Sequence, residues 1–330
     1  MKRAFNRLLC CVLALCFLAR CSCGEQPSDE EEPIVVGFSQ LGSESDWRAA
    51  NTKSMTEAFS EENGYTLIFD NAMQKQENQL AAIRTFILQG VDIIVLAPVA
   101  ETGWDNVLLE AKNAGIPVII VDREIEVEDD TLYTSSVGSD FLQEGQLAVD
   151  WLHSRLVAQG RSDENINILH IKGTSGATAQ LMRTKAIEDD AAEYPNWHIC
   201  AQLWGEYTEA KSYEVVRDYL RVNPDIDVIY SENDNMTFGA MRALDEAGIT
   251  YGEGGDVIII SFDAVKKALE YCLDGKINLC VECNPLHGPR VDELIKKYEA
   301  GEDIPKQTYV EETFFTSSTI TQEIIDAREY

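Results

Sequence analysis

Polar and aromatic side chains follow one short apolar run after another along this chain of 330 residues. Planar Asp, Asn and Arg side chains can each hydrogen bond two adjacent hydroxyl groups, and Trp or Tyr faces cover the C–H patches of a sugar ring. These residue types together predict a binding site for a small polyol. The candidate binding residues are Ser39, Gln40, Trp47, Arg48, Asp122, Arg123, Thr174, Arg183, Tyr207, Asn233, Asp234, Asp263 and Glu282.

Each candidate taken alone has a simpler explanation, because such residues also cap helices, form turns or make structural ion pairs. For Ser45 and Ser175 that explanation is preferred, and for the pair Asp122-Arg123 the two explanations are equal. The recurrence of such residues at the end of successive apolar runs favours a binding site.

The apolar runs themselves are predicted strands, and they position the candidates. Several are nearly continuous in Val, Ile and Leu, as expected for strands buried on both faces of a parallel sheet. Amphipathic stretches such as 78–89 and 234–247 predict helices between them. The alternation predicts an α/β fold with doubly wound parallel sheets. The predicted strands are 34–38, 65–69, 93–97, 118–121, 132–137, 166–171, 199–203, 228–230, 257–261 and 277–281.

Two stretches of the chain echo one another. The segments 90–95 (GVDIIV) and 225–230 (DIDVIY) each lead from a helix into a strand, and 111–116 and 244–249 each close the helix that follows. This similarity predicts two lobes of the same topology. Ligands of open parallel sheets bind beyond the carboxyl ends of the strands, so the candidate site is expected in the cleft between the lobes.

The N-terminus has the pattern of an export signal. Basic residues in the first seven positions precede an apolar run, 8–19, which is shorter than the roughly 20 residues that a membrane-spanning helix needs. We therefore predict a signal peptide over 1–20. The following segment resembles a bacterial lipoprotein signal, although Arg20 departs from its pattern. Cys21 is the predicted lipid anchor, while Cys23, or cleavage with release, remains an alternative. Residues 21–33 are predicted to form an acidic tether.

Composition excludes several other classes. The net charge of −30 is opposite to the basic surface of nucleic-acid-binding proteins. The four His are scattered, and neither an EF-hand nor a P-loop pattern occurs, so no metal or cofactor is predicted. A disulfide is compatible with export, but its pairing cannot be read from the sequence. The pair Cys280-x-x-Cys283 is interpreted as part of a strand more than as a redox or metal site.

Several of these segments resemble a known family. The chain is similar to periplasmic-type sugar-binding proteins of ABC importers in the ribose/galactose-binding class, and within it most similar to galactofuranose-binding proteins. The segments that carry the resemblance are 36–49 (VGFSQLGSESDWRA), 74–79 (QKQENQ), 97–104 (APVAETGW), 122–123 (DR), 173–177 (GTSGA), 233–240 (NDNMTFGA), 261–263 (SFD) and 282–289 (ECNPLHGP).

The resemblance implies a type I periplasmic binding protein fold with three crossovers, near 137–140, 282–285 and 315–318. It implies an N-terminal lobe of 34–137 plus 284–315 and a C-terminal lobe of 138–283 plus 316–330. The first lobe would contact the ligand through Ser39, Trp47 and Arg48, with Asp122 and Arg123 at its inner edge. The second lobe and the hinge would contribute Arg183, Tyr207, Asn233, Asp263 and Glu282.

The resemblance also implies a function. The chain would be a monomer, not an enzyme, that is exported to the outer face of the cytoplasmic membrane or the periplasm. It would capture a monosaccharide, galactofuranose or a related furanose or hexose, and deliver it to an ABC permease. Ala186 and Ala264 stand where the family often has Gly, so the local backbone is expected to differ there.

Three other functions use this fold or similar residue types. A sugar-sensing subunit that presents its ligand to a membrane kinase or chemoreceptor remains open, because it would use the same closed form. A transcription repressor of this fold is excluded, since the signal and the tether occupy the place of its DNA-binding helices. An extracellular glycosidase needs paired carboxylates with one acting as acid. It is less favoured because Arg123 and Arg183 are expected to keep the nearby acids ionised.

Overall fold

Two parallel sheets organise the chain. The computed structural model describes residues 32–330, and within them twelve strands form two sheets of six strands each. The predicted signal peptide, the anchor Cys21 and most of the tether lie outside the described residues. Among the described helices, none combines the length and the apolar composition needed to cross a bilayer.

The first sheet has the order β11-β5-β4-β3-β1-β2, and all of its neighbouring strands are parallel. The second has the order β12-β10-β9-β8-β6-β7, and only β12 is antiparallel to its neighbour. The strands are β1 (Ile34–Gln40), β2 (Tyr65–Asn71), β3 (Ile93–Leu96), β4 (Val118–Val121), β5 (Ser135–Gly138), β6 (Ile166–Lys172), β7 (Trp197–Trp204), β8 (Val228–Ser231), β9 (Ile258–Asp263), β10 (Leu279–Glu282), β11 (Gln307–Tyr309) and β12 (Phe314–Phe315).

Helices cover both faces of each sheet. They are α1 (Asp46–Ala58), α2 (Gln76–Gln89), α3 (Asp105–Asn113), α4 (Phe141–Ala158), α5 (Thr178–Glu193), α6 (Glu209–Leu220), α7 (Asp234–Ala247), α8 (Lys266–Leu273), α9 (Gly288–Glu299) and α10 (Gln322–Ala327). The helix α7 shows how the sequence sets such bounds. The side chain of Asn233 accepts a hydrogen bond from the Met236 amide at its start, and Gly248 ends it with a φ of 69°.

The strand residues alternate between the two faces, so each sheet carries two apolar layers. Within β3, Ile93 and Val95 pack with residues of α1 and α9, whereas Ile94 and Leu96 pack with residues of α2 and α3. The second sheet repeats this arrangement with α4 and α5 on one face and α6 and α7 on the other. The predicted architecture of two similar doubly wound lobes is confirmed.

Most predicted strands differ from the observed ones by one to three residues, and two observed strands were not predicted. The strands β11 and β12 have three and two residues, too few for any apolar periodicity to show. The prediction for 132–137 began too early, because Asp130–Leu132 form a 3₁₀ turn and β5 begins at Ser135.

The chain passes between the two sheets at three places. The first connection, 139–140, joins β5 to α4, and the second, 283–287, joins β10 to α9. The third joins β11 to β12 through 310–313, which is earlier than the predicted 315–318, and Phe314–Phe315 accordingly lie in the second sheet. We call the three connecting segments, 139–140, 283–287 and 310–313, the hinge.

The cysteines of the described residues are all free thiols. Cys272, Cys280 and Cys283 are buried, and Cys200 is exposed. The disulfide that export would allow is therefore not formed among them in this structure.

Candidate functional site

A cavity lies where connections from the carboxyl ends of both sheets meet. Small-ligand sites are commonly clefts of this kind, lined by aromatic side chains and a few polar groups. The structure brings eight of the predicted binding residues together at its wall. The complete lining is Glu44, Ser45, Trp47, Arg48, Asp122, Arg123, Phe141, Ala179, Arg183, Tyr207, Asn233, Asp263 and Cys283.

The first turn of α1 delivers Trp47 and Arg48 to the cavity. Ser45 is the N-cap of this helix, as preferred from the sequence, and its hydroxyl accepts a hydrogen bond from the Arg48 amide at 3.1 Å. The indole Nε1 of Trp47 donates to the carbonyl of Cys283 at 2.7 Å. That bond ties the first lobe to the hinge, so the position of Trp47 depends on the hinge.

A buried ion pair joins Arg48 to Asp122 on the first-lobe side. Arg48 Nη2 lies 2.5 Å from Asp122 Oδ2, and Arg48 Nε lies 3.1 Å from Glu44 Oε1. Arg123 approaches the same carboxylate at 4.0 Å. Burial alone would raise the pKa of Asp122, but the guanidinium groups of Arg48 and Arg123 outweigh it and hold that pKa below its usual value. Asp122 is therefore an ionised acceptor.

Arg123 lies where the two lobes meet. Its Nη1 donates to the Val99 carbonyl of the first lobe at 3.0 Å, and its guanidinium carbon lies 5.4 Å from the ring centroid of Tyr207 in the second lobe. Gly173 makes room for this ring, because a Cβ at that position would lie 1.9 Å from it. The buried Tyr207 hydroxyl has no hydrogen-bond partner among the described residues, which leaves it free to bind a ligand.

On the second-lobe side, Arg183 is held by several acceptors. Its Nε and Nη2 lie 2.7 and 2.6 Å from Glu144 Oε2, and its Nη1 donates to the Glu232 carbonyl at 2.5 Å. The rings of Phe141 and Phe262 lie 5.3 and 4.8 Å from its guanidinium carbon. Arg183 is thus held in place by protein groups on several sides.

Asp263 corrects one expectation from the sequence. Arg183 was expected to keep the second-lobe acids ionised, but its Nη2 lies 3.8 Å from Asp263 Oδ1 because Glu144 and Glu232 take its closer bonds. Burial therefore dominates and raises the pKa of Asp263 well above its usual range, despite the opposing charge of Arg183. Asp263 is a carboxyl group that can also donate a hydrogen bond.

Asp122 and Asp263 have an uncommon backbone conformation that sets the direction of their side chains. Asp122, Asp263 and Ala264 adopt left-handed conformations with φ of 69°, 102° and 57°. Ala264 keeps this conformation without the Gly that the family often has there, and such a position costs a non-Gly residue of order 1–3 kcal/mol. Ala186 is the other position where the resemblance predicted Gly. Its methyl group faces Gly145 of α4, and a Cβ on Gly145 would lie 2.6 Å from it. The close approach of α4 and α5 therefore requires glycine at position 145.

Five predicted binding residues lie outside the lining of this cavity: Ser39, Gln40, Thr174, Asp234 and Glu282. Four of them are hydrogen bonded to other protein groups. The Ser39 hydroxyl accepts from Gln79, and Gln40 is hydrogen bonded to Arg48 and Asn51.

Asp234 accepts from the Val265 amide and the Ser261 hydroxyl, and Glu282 is bonded to Arg328 and Tyr330. Thr174 lies in the turn before α5. Position after a strand is therefore too coarse a signal for ligand binding, because residues there also hold neighbouring protein groups in place.

Five lining residues were not among the predicted binding residues: Glu44, Ser45, Phe141, Ala179 and Cys283. Phe141 and Ala179 lie in the first turns of α4 and α5, and Cys283 directly follows β10. In this fold both strand ends and the helix starts that follow them face the cleft. Reading the first turn of every helix after a strand would have found Phe141 and Ala179.

Hydrogen bonds between the lobes close the rim of the cavity on two sides. Asn235 Oδ1 accepts from the Asp46 amide at 3.0 Å on one side. On the other, the Thr178 hydroxyl bonds both the amide and the carbonyl of Glu124 at 3.1 Å, and the Glu101 amide donates to the Gly176 carbonyl at 3.2 Å. The lobes are therefore closed around the site.

Comparison with known proteins shows what this architecture belongs to. A family model described as "Periplasmic binding protein domain" matches residues 36–286. The galactofuranose-binding protein YtfQ of Escherichia coli is 38% identical over 296 residues, which cover 88% of this chain and 91% of that protein.

Solved structures give the same result. A Mycobacterium smegmatis protein in complex with β-D-fucofuranose is 40% identical, with a TM-score of 0.81 over 86% of this chain and 92% of that one. The periplasmic binding protein of the arabinose ABC transporter from Shewanella sp. ANA-3, bound to L-arabinofuranose, is 40% identical, with a TM-score of 0.82 over 90% and 96%. The type I fold is thereby confirmed, and the chain belongs to the sugar-binding periplasmic binding proteins of ABC transporters, an extracytoplasmic family of binding proteins and not of enzymes.

Proposed function

We propose that this chain captures one monosaccharide in its furanose form, galactofuranose or a related sugar, and delivers it to an ABC permease. The observation that carries the proposal is the closed cavity in which Asp122, Arg123, Arg183 and Asp263 meet beside aromatic rings. Relatives near 40% identity that hold β-D-fucofuranose or L-arabinofuranose support the furanose form.

The two acids offer a sugar different hydrogen bonds. Asp122, kept ionised by Arg48 and Arg123, accepts bonds from two hydroxyl groups, and bonds to a charged partner contribute about 1.5–3 kcal/mol each. Asp263 accepts and donates, as a hydroxyl group does. The guanidinium of Arg123 donates to ring or hydroxyl oxygens, and the faces of Trp47 and Tyr207 cover C–H groups.

Binding is coupled to closure. Each lobe carries part of the site, so a sugar bonded to both lobes has a higher affinity for the closed form and shifts the equilibrium toward it. The rim bonds between Asn235 and Asp46 then hold the cleft shut. The closed surface formed by both lobes is what the permease would recognise.

The proposal is tested by isothermal titration calorimetry of the mature chain. D-galactose, D-fucose and L-arabinose are the probes, with D-ribose and a disaccharide for comparison. We expect micromolar or tighter binding of a furanose-forming probe and none of the disaccharide, because the proposed site holds a single sugar ring. Arg123→Ala should abolish binding, and Arg221→Ala, an exposed arginine, should not. Equal binding of the disaccharide, or unchanged affinity in Arg123→Ala, would refute the proposed site.

We also propose that Cys21 carries the lipid anchor and that residues 21–33 tether the two lobes to the membrane. The basic start, the apolar run 8–19 and the acidic segment support this. Metabolic labelling with a fatty acid should mark the wild type and Cys23→Ser but not Cys21→Ser. Labelling that persists in Cys21→Ser and disappears in Cys23→Ser would show that Cys23 carries the anchor.

A further inference from the structure

One carboxyl group of the hinge, on the third connecting segment, is hydrogen bonded to the other two segments. Glu312 lies in the third segment, and its Oε1 accepts a hydrogen bond from the Ser139 hydroxyl of the first segment at 2.7 Å. The same oxygen accepts from the Asn284 amide of the second segment at 2.6 Å. Ser139 also contacts Cys283 Sγ at 3.3 Å. Any change in Glu312 therefore reaches every segment that moves when the lobes open.

A second carboxyl group, the buried Glu144 in the first turn of α4, lies beside the partly buried Glu312. Ligand atoms of Glu144, Cys283 and Glu312 lie within 4.8 Å of one another. Glu144 Oε2 is bonded to Arg183, but its buried Oε1 has no hydrogen-bond partner among the described residues. A buried acceptor without a donor is costly. The groups close enough to donate to Glu144 are the Cys283 thiol and, if it carries a proton, the Glu312 carboxyl group.

Two carboxylates this close in a buried site do not both ionise. Burial, with the charge of Glu144, raises the pKa of Glu312 to about 9, against the bonds from Ser139 and Asn284. Burial raises the pKa of Glu144 to about 7, although Arg183 opposes it. The titratable and charged groups that face the pair from the packed elements are Arg183 of α5, Asp263 of β9, Cys283 of the hinge and Tyr230 of β8.

We propose that Glu312 and Glu144 share one proton at the hinge, and that this proton holds the three segments together and fixes the ligand-facing Arg183 through Glu144. The proton supplies the missing donor to Glu144 Oε1, while Glu312 Oε1 keeps its bonds from Ser139 and Asn284. Loss of the proton places two negative charges side by side, one in the hinge and one in the adjoining first turn of α4, which favours an open, hydrated form. The hinge is thereby a pH-sensitive element.

A metal ion is the alternative occupant of this cluster, and the contacts argue against it. Arg183 donates twice to Glu144, which places a positive charge where a cation would have to bind. Two donors already occupy Glu312 Oε1, and burial raises the pKa of the Cys283 thiol well above its usual value. A thiol that keeps its proton is a poor metal ligand.

The direction of the pH effect follows from linkage. The closed form binds the Glu312 proton more tightly than a form in which Glu312 is hydrated. The closed form is therefore favoured most at acidic pH, and its advantage declines as the pH rises from about 4.5 to about 9. Where only the closed form holds the proton, closure weakens by at most about tenfold per pH unit.

Infrared difference spectroscopy of the ligand-free mature chain tests the shared proton directly. The wild type should show a protonated carboxyl band at pH 7 that declines on titration to pH 10. Asp263, whose pKa burial also raises, contributes to this band in every variant. Glu312→Gln, whose amide can donate to Glu144 and whose carbonyl can accept from Ser139 and Asn284, should therefore show a band that is weaker than that of the wild type by one carboxyl group. The exposed neighbour substitution Glu311→Gln should keep the full band. An undiminished band in Glu312→Gln, or stabilisation of the wild type by Zn²⁺ alone, would overturn the proposal.

Closure is tested by the affinity for D-galactose at pH 6 and pH 9. In the wild type and Glu311→Gln the affinity should fall at least tenfold between these values, whereas in Glu312→Gln it should change less than threefold. Equal pH profiles in wild type and Glu312→Gln would show that the shared proton does not control closure and would overturn that part of the proposal. This measurement alone rests on the proposed function. If D-galactose binds at neither pH, the proposed sugar is wrong and the infrared titration still decides the proton.

Discussion

Both sides of the cavity contain buried Asp and Arg side chains, but one side has two Arg near one Asp and the other has one Arg shared among several acceptors. On the first-lobe side, Asp122 is a carboxylate near two guanidinium groups and is ionised. On the second-lobe side, Arg183 is a guanidinium shared among several acceptors, and Asp263 is left with a raised pKa. A neighbouring Arg, whether in the sequence or in the fold, therefore does not by itself determine the charge of an Asp. What decides is how many closer acceptors the Arg already has.

The largest difference between the two sides is expected on removal of an arginine. Arg183→Met leaves Glu144 buried without its partner and should lower the free energy of unfolding by about 3–5 kcal/mol. Arg48→Met should cost less, because Asp122 keeps Arg123 nearby. Urea unfolding followed by circular dichroism measures both, with the exposed Arg221→Ala as a control that should shift stability by less than about 0.5 kcal/mol. Equal losses in both variants would contradict the comparison.

Sugar affinity should distinguish the two acids. Asp122→Asn removes an ionised acceptor and should weaken binding of a furanose-forming sugar by about 1.5–3 kcal/mol, roughly 10- to 150-fold. Asp263→Asn keeps a group that both donates and accepts, so the affinity should change by less than about 1 kcal/mol. Calorimetry at pH 7 measures both. A larger loss in Asp263→Asn than in Asp122→Asn would reverse the assignment of the ionised acid.

The same two variants should respond oppositely to pH in the ligand-free chain. The lowered pKa of Asp122 contributes stability that is present above about pH 3.8 and is lost as the pH falls. The raised pKa of Asp263 means that its ionisation opposes folding as the pH rises above about 3.8. Thermal unfolding at pH 8 should therefore show Asp263→Asn more stable than wild type and Asp122→Asn less stable. Parallel shifts of both variants would be evidence against this difference.

The smallest effect is expected at the rim, where Asp46 and Asn235 lie outside the lining of the cavity. Asn235→Ala removes the acceptor of the Asp46 amide across the cleft and should weaken binding by about 0.5–1 kcal/mol, two- to fivefold. The change should lie in the dissociation rate measured by stopped flow, because the bond forms only after closure. Asn223→Ala, exposed in the second lobe, is the matched control. An altered association rate with unchanged dissociation would show that Asn235 acts before closure.

The fold was largely predictable from the sequence because its signals are local. Continuous apolar runs show strands buried on both faces, and the cap Asn233 with the terminal Gly248 bounds α7 at the residues predicted for it. The strands β11 and β12 were missed because so few residues carry no periodicity. The third crossover was placed too late for the same reason, since β12 marks its end.

The site was predictable only in part, because side chains after a strand have competing partners from distant sequence. Glu282 is bonded by Arg328, which lies 46 residues later, and Asp234 by the Val265 amide, 31 residues later. No spacing rule reveals such pairs. The raised pKa of Asp263 was likewise unreadable, because it depends on the bonds that Arg183 makes to Glu144 and Glu232.

The hydrogen bond from Trp47 to the Cys283 carbonyl has a practical consequence. An indole that lies in the wall of the cavity and is bonded to the hinge changes its surroundings whenever the lobes separate. Trp47 is thus a built-in optical reporter, whose fluorescence emission can follow opening in real time without an attached dye.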